Sequence, residues 1–249
     1  MKQSTPLLEK EENKAVKPLL DVSNLSAGYG STNVLFDISF MVNRGEIACL
    51  LGRNGVGKTT LLRSIIGLNQ LTTGQIAFDG KNITRLATFK RARQGIAYIP
   101  QGREIIPYLS VLDNLKMGFI ASGEKSNRIP DEIFDFFPML AEHLDRQGGL
   151  LSGGQQQQLA IARGLLCNPK IMLLDEPTEG IQPSIIQEIE DTLRRINQEK
   201  GITIVVVEQK IEFARKLAQK FFIMEKGSIV ESGDTLQLTD ELLHRYLAV

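Results

Sequence analysis

Apolar residues along this chain follow two rhythms, and each predicts a different element. Alternating or unbroken apolar runs at residues 19–25, 34–42, 46–51, 75–78 and 96–99, and again at 171–174, 202–207 and 221–224, predict β-strands toward both ends. Between Arg103 and Gly148 that signal fades. Phe134, Phe137, Leu140 and Leu144 recur there at helical spacing behind the breaker Pro130, which predicts a helical insert. Apolar faces of helical period also run through 156–166 and 184–199. The second opens behind Pro183, whose fixed φ and missing N–H suit a first helical turn. Lys226-Gly227 reads as a turn joining short strands, and 240–247 as a last helix. Strands on both sides of helices predict the α/β class.

Composition narrows the partners. A chain of 249 residues with 42% hydrophobic content can bury the core of one large α/β domain or of two lobes. Lys plus Arg and Asp plus Glu each number 29, so the broad basic field that grips a phosphate backbone is missing and no nucleic-acid partner is expected. No apolar stretch approaches the ~20 residues of a membrane-spanning helix, which leaves peripheral contact with a membrane. Residues 1–17 mix Lys and Glu with Ser, Thr and Pro, lack the apolar centre of an export signal, and read as a mobile tail before a domain at 18–249. Cys49 and Cys167 lie inside apolar segments and read as small buried hydrophobes in a reducing cytoplasm.

Two segments carry recognisable chemistry. Gly52-Arg53-Asn54-Gly55-Val56-Gly57-Lys58-Thr59, continued by Thr60, matches a phosphate-binding loop and lies between a predicted strand and a predicted helix, the context such a loop requires. Its small residues let backbone N–H groups wrap phosphate oxygens at a helix N-terminus. Lys58 adds a point charge at the outer phosphates, and the Thr59 hydroxyl can ligate Mg²⁺. A chance glycine-rich turn would lack this setting. The second segment is Asp175-Glu176, which closes an apolar run at the expected carboxyl edge of a parallel sheet. Asp175 is placed to hold Mg²⁺ through a water, and Glu176 to orient or deprotonate an attacking water, as phosphoryl transfer demands. Alone, the pair would equally be a solvated strand end; the upstream loop decides between these.

Leu151-Ser152-Gly153-Gly154-Gln155, with the predicted helix directly behind it, resembles the signature of ABC ATPases. Ser152 and the Gly153 and Gly154 amides would form a second anion site at a helix N-terminus. The resemblance implies an α/β P-loop NTPase (RecA-like) core of ABC ATPase type, with an N-terminal antiparallel β subdomain and an α-helical insert at about 103–158. It further implies ATP hydrolysis with Mg²⁺ and head-to-tail pairing with a second ATPase subunit, like or unlike. ATP would then lie between the Lys58 loop of one subunit and the Ser152–Gln155 segment of the other. Transmembrane permease subunits would sit above the pair, at the inner face of a bacterial plasma membrane. Tyr29 matches the aromatic that stacks on adenine, and Gln101 the glutamine that touches Mg²⁺ or the attacking water; outside this family each reads as an ordinary residue.

Two positions depart from the common ABC pattern. Gln209 stands where most members carry a catalytic histidine; it can hydrogen-bond a phosphate but cannot carry a proton as imidazole does. His143 and His244 lie near no motif in chain order and read as structural or surface residues. Glu179-Gly180-Ile181-Gln182 replaces the commoner Ser-Ala-Leu-Asp. Both departures are similar to those in ATPase subunits of branched-chain amino acid uptake systems, a resemblance that covers 18–249. Segments 101–107, 155–158 and 176–186 look most like the bacterial urea-transport branch. The expectation is therefore the motor of a urea importer, served by a periplasmic binding protein, with branched-chain amino acids as the alternative cargo and a soluble non-transport ABC ATPase behind both. Residues 105–115, with Tyr108 and Leu109, read either as a permease-docking segment or as core of the insert.

Overall fold

The computed structural model describes residues 17–30, 32–123 and 128–246; the expected tail ahead of Lys17, and Leu247, lie outside them. The chain opens with β1 (Leu20–Tyr29) and β2 (Thr32–Val42), then β3 (Ile47–Leu51), which feeds α1 (Lys58–Ile66). β4 (Leu71–Phe78), β5 (Lys81–Asn82), α2 (Thr88–Arg93) and β6 (Ile96–Ile99) follow. Next come α3 (Val111–Ser122), α4 (Asp131–Phe136), α5 (Pro138–Ala141) and α6 (Gly153–Leu165). β7 (Ile171–Asp175), α7 (Pro183–Lys200), β8 (Thr203–Glu208), α8 (Ile211–Leu217), β9 (Lys220–Glu225), β10 (Ser228–Asp234) and α9 (Asp240–Tyr246) complete the order.

These strands form two sheets. One is antiparallel, in the order β2-β1-β4-β5; the other runs β10-β9-β3-β8-β7-β6 and is parallel except for β10. Burial on both faces explains the unbroken apolar runs of the central strands. Side chains alternate across a strand, so Met172, Leu174, Ile204 and Val206 enter one cluster with Leu159 of α6 and Leu193 of α7. Leu173, Val205 and Val207 enter another with Leu61 and Ile65 of α1 and Leu25 of the antiparallel sheet. The parallel sheet is thus the middle layer, and its carboxyl edge opens into the loops that carry the phosphate-loop and acid-pair motifs.

The hairpin at Lys226-Gly227 forms as expected, with Glu225 opposite Ser228 and φ of 47° and 83° at the turn residues. Positive φ at both central residues gives a turn whose twist suits paired strands. The insert differs in detail from its prediction. The face of Phe134, Phe137, Leu140 and Leu144 is divided between α4 and α5, with Leu144 in a turn. Phe137, at φ −133° and ψ 67°, breaks the helix because the ring of Pro138 crowds the residue before it. α3 falls within the predicted insert although no helical run is read there, and α2 and α8 lie outside the predicted elements. Val111, Leu115 and Phe119 do form a buried stripe on α3, but Asp113, Asn114, Lys116 and Gly118 interrupt it in sequence. Among the described residues, no helix is long and apolar enough to cross a membrane.

Candidate functional site

The cradle begins where β3 ends. Gly57 caps α1 at φ 108°, a backbone state open to glycine, and a Cβ there would come within 2.8 Å of Leu35. The chain can therefore turn tightly enough to aim the first amides of α1 outward. A cavity of about 310 Å³ lies over this turn, lined by Asn54, Gly55, Gly57, Lys58, Thr59 and Thr60 together with Val34, Gln101 and Glu176. Lys58 is only 4% exposed. Its ammonium donates to the carbonyls of Gly52 (2.8 Å) and Arg53 (3.0 Å) and forms an ion pair with Glu176 Oε1 at 3.1 Å. A buried, strongly hydrated cation needs such partners, and phosphate oxygens could exchange for them.

Asp175 and Glu176 diverge although adjacent. Asp175 closes β7, and its carboxylate accepts from the Thr59 hydroxyl and the Tyr98 hydroxyl, both at 3.1 Å. Burial pushes its carboxyl above the ordinary range, and the two hydroxyl donors offset part of that rise. Glu176 leaves the strand at φ 47°, a strained state for a residue with a Cβ, while its N–H donates to Val207 O at 2.9 Å. The turn sends its carboxylate to the cradle, where Gln209 Nε2 donates to both oxygens at 3.2 Å and to Asn54 Oδ1 at 2.6 Å.

A carboxyl whose folded pKa is raised favours the fold below its unfolded pKa, and that contribution disappears as pH rises through the folded value. At neutral pH the desolvated charge of Asp175 costs stability, which the Lys58 ammonium and the two hydroxyl donors offset only in part. Asp175→Asn is therefore expected to raise the melting temperature of the nucleotide-free chain by about 2–4 °C at pH 7, with the gain shrinking on acidification. A calorimetric scan showing a lower melting temperature would overturn this.

Other expected residues fall around the cradle or away from it. Tyr29 ends β1 half-exposed, its hydroxyl 3.4 Å from Thr60 Oγ1, so the ring stands beside the first turn of α1. Gln101 reaches the cavity wall, but its Nε2 donates to Glu179 Oε2 at 2.9 Å, while Arg103 donates to the Glu179 carbonyl at 3.1 Å. The departure at Glu179 thus meets the loop of Gln101. Ser152 and Gln155 form a reciprocal cap on α6: Ser152 Oγ accepts from Gln155 N–H, and Gln155 Oε1 accepts from Ser152 N–H. Gly154 is small because Ile185 of α7 packs on it, 2.5 Å from where a Cβ would lie. None of residues 152–155 lines the cradle cavity.

Several participants are less visible in sequence. Tyr98 completes the Asp175 carboxylate from the preceding strand, 77 residues earlier in the chain. Glu208 is the charged end of a fully buried strand, the same signal that marks Asp175 and Glu176. His244, remote from every motif in chain order, lines a cavity of about 530 Å³ whose wall also includes Gln209. Cys49 is buried and Cys167 partly buried, both as free thiols raised by burial.

A family model described as ABC transporter matches residues 35–179. The high-affinity branched-chain amino acid transport ATP-binding protein BraG of Pseudomonas aeruginosa is 37% identical over 232 residues, covering 92% of this chain and 99% of that protein. A nucleotide-free ATP-binding cassette from an ABC transporter superposes with a TM-score of 0.80 at 27% identity, over 94% of this chain and 96% of that one. A dimeric ATP-binding cassette in a post-hydrolysis state with ADP and Pi matches with a TM-score of 0.77 at 25% identity, over 87% of this chain and 98% of that one.

Proposed function

We propose that this chain, which belongs to the ABC transporter family and is an ATPase of that family, powers an importer of branched-chain amino acids. The cargo reading rests on the relative named for that transport, similar over 92% of the chain. Urea is the second reading, favoured by the segments 101–107, 155–158 and 176–186. Uptake of labelled leucine and labelled urea by cells lacking the chain separates them. Loss of leucine uptake alone is expected; loss of urea uptake alone would transfer the assignment to urea.

In this reading ATP enters the cradle with adenine on Tyr29 and its phosphates on the amides of residues 52–60. Lys58 then exchanges backbone carbonyls and Glu176 for the outer phosphates. Glu176, released from the ammonium, orients and deprotonates the attacking water, and Gln209 holds that carboxylate in place. The donor set fits Mg²⁺: a buried carboxylate met only by hydroxyl donors, beside space for phosphates. Thr59 and Asp175 would hold the ion, with Gln101 at the cavity wall, and the ion would supply charge neutralisation between the outer phosphates. Ser152, Gly153, Gly154 and Gln155 serve the nucleotide of a second ATPase subunit. Their separation from this chain's own cradle and the dimeric relative support that pairing.

The helical insert, about 103–158, is proposed to receive the permease. Residues 105–115 are partly core and partly exposed. Val111 and Leu115 are core, with Ile105 and Leu112 packed against it, whereas Tyr108 is 84% exposed. Leu150 is 62% exposed, and backbone bonds from Gly148 and Gly149 to the carbonyls of Leu109 and Pro107 join the segments that carry Leu150 and Tyr108. Tyr108→Asp should cut transport in reconstituted vesicles by about tenfold, the cost of a desolvated charge in a small contact, while ATP affinity stays unchanged. Undiminished transport would remove Tyr108 from the interface. A periplasmic binding protein supplying the permease belongs to the same reading.

A further inference from the structure

We infer that Glu208 is a positioning residue for ATP hydrolysis, joining the loop behind the acid pair to the loop that carries Gln209. This rests on the roles proposed for Glu176 and Gln209. Glu208 is the last residue of β8, between the strand that ends in the cradle and the strand that ends in the acid pair. It lies opposite Leu51 of β3, and its neighbour Val207 lies opposite Asp175 of β7. A charged group here, only 3% exposed, needs an explanation beyond solubility.

Its hydrogen bonds supply one. Glu208 Oε1 accepts from the N–H of Thr178 at 3.0 Å, and Oε2 accepts from the N–H of Gln209 at 3.1 Å. Lys210 Nζ donates to the Thr178 carbonyl at 3.2 Å. The Thr178 residue is therefore gripped at its N–H by the end of β8 and at its C=O by the loop that follows. The same carboxylate that holds Thr178 holds the backbone of Gln209, whose amide meets both Glu176 oxygens. Glu176 stands two residues before Thr178 on strained backbone, a conformation that persists only where the surrounding contacts hold it. An acceptor-only side chain suits this place: both its oxygens receive backbone N–H donors, and an amide cannot accept at both ends.

The clamp predicts how substitutions divide between rate and affinity. Glu208→Gln turns an NH₂ group toward one backbone donor and releases either Thr178 or Gln209. In the full chain assembled with its transport partners, kcat should fall about 10²-fold, the scale of a displacement near 1 Å, while KM for ATP changes less than about twofold. Melting temperature should hold or rise, since a desolvated charge is removed. Lys210→Met, at an exposed position, should lower kcat with KM retained, and the double variant should fall short of the product of the single effects. Turnover at the wild-type level in Glu208→Gln would overturn the inference. So would loss of kcat together with melting temperature in Glu208→Gln while Lys210→Met keeps full kcat, because that pattern marks a residue that only supports the fold. Glu176→Gln run alongside distinguishes the underlying reading: if that variant still hydrolyses ATP, the roles of Glu176 and Gln209 fail, whatever Glu208 does.

Discussion

Glu176→Gln is expected to lower ATP turnover by about 10³-fold or more, while the chain binds ATP as tightly as before. The side chain is 9% exposed and reaches Lys58 Nζ at 3.1 Å and Gln209 Nε2 at 3.2 Å. Glutamine fills the same space and can still hydrogen-bond, but it cannot take a proton from water. Only the transition state loses an interaction, so kcat falls and ground-state affinity does not. Paired subunits loaded with ATP should then persist as a closed dimer on size-exclusion chromatography. The nucleotide-free variant should also melt earlier than wild type, because Lys58 loses the anion it faces when phosphates are absent, and saturating ATP should restore the difference. Turnover within tenfold of wild type would remove Glu176 from the chemistry.

Lys58→Ala should act on the other side of the reaction, in binding. Its ammonium is the one cationic side chain among the residues lining the cradle cavity, and it is nearly sealed from solvent. A charge-assisted contact to phosphate in such a setting corresponds to about 2–3 kcal/mol, or about 10²-fold in Kd. Equilibrium titration with a fluorescent ATP analogue should show that loss, and binding within threefold of wild type would refute the role. The effect has a second part: without Lys58, Glu176 stays buried with Gln209 as its remaining side-chain donor, so the variant should lose melting temperature as well. The two substitutions thus separate cleanly, one removing rate at constant affinity and the other removing affinity first.

The site was legible where its chemistry is local. The octad from Gly52 to Thr59 needs a tight turn, a helix start and one cation within eight residues, so spacing alone exposes it. The acid pair was visible as charge at the end of an apolar run, and Glu208 carries the same mark but gained meaning only from its partners. The insert was read as helical, yet one apolar face was divided between α4 and α5 by Pro138, and α3 was hidden by polar residues among its buried positions. Those outcomes depend on what packs against each face, which a period cannot report.

By itself the sequence determined the α/β class, the strand–loop–helix setting of the octad and the turn at Lys226-Gly227, because each follows from backbone preferences and burial pattern within a few residues; the segment 151–155 was legible only through its resemblance to a family signature. The tertiary structure alone decided which side chains meet. Gln209 reaches Glu176 across 33 residues, Glu208 reaches Thr178 across 30, and Tyr98 reaches Asp175 across 77, since β6, β7 and β8 lie side by side in parallel register. Parallel pairing joins strands that the chain separates by whole helices, and only burial of both sheet faces selects that register.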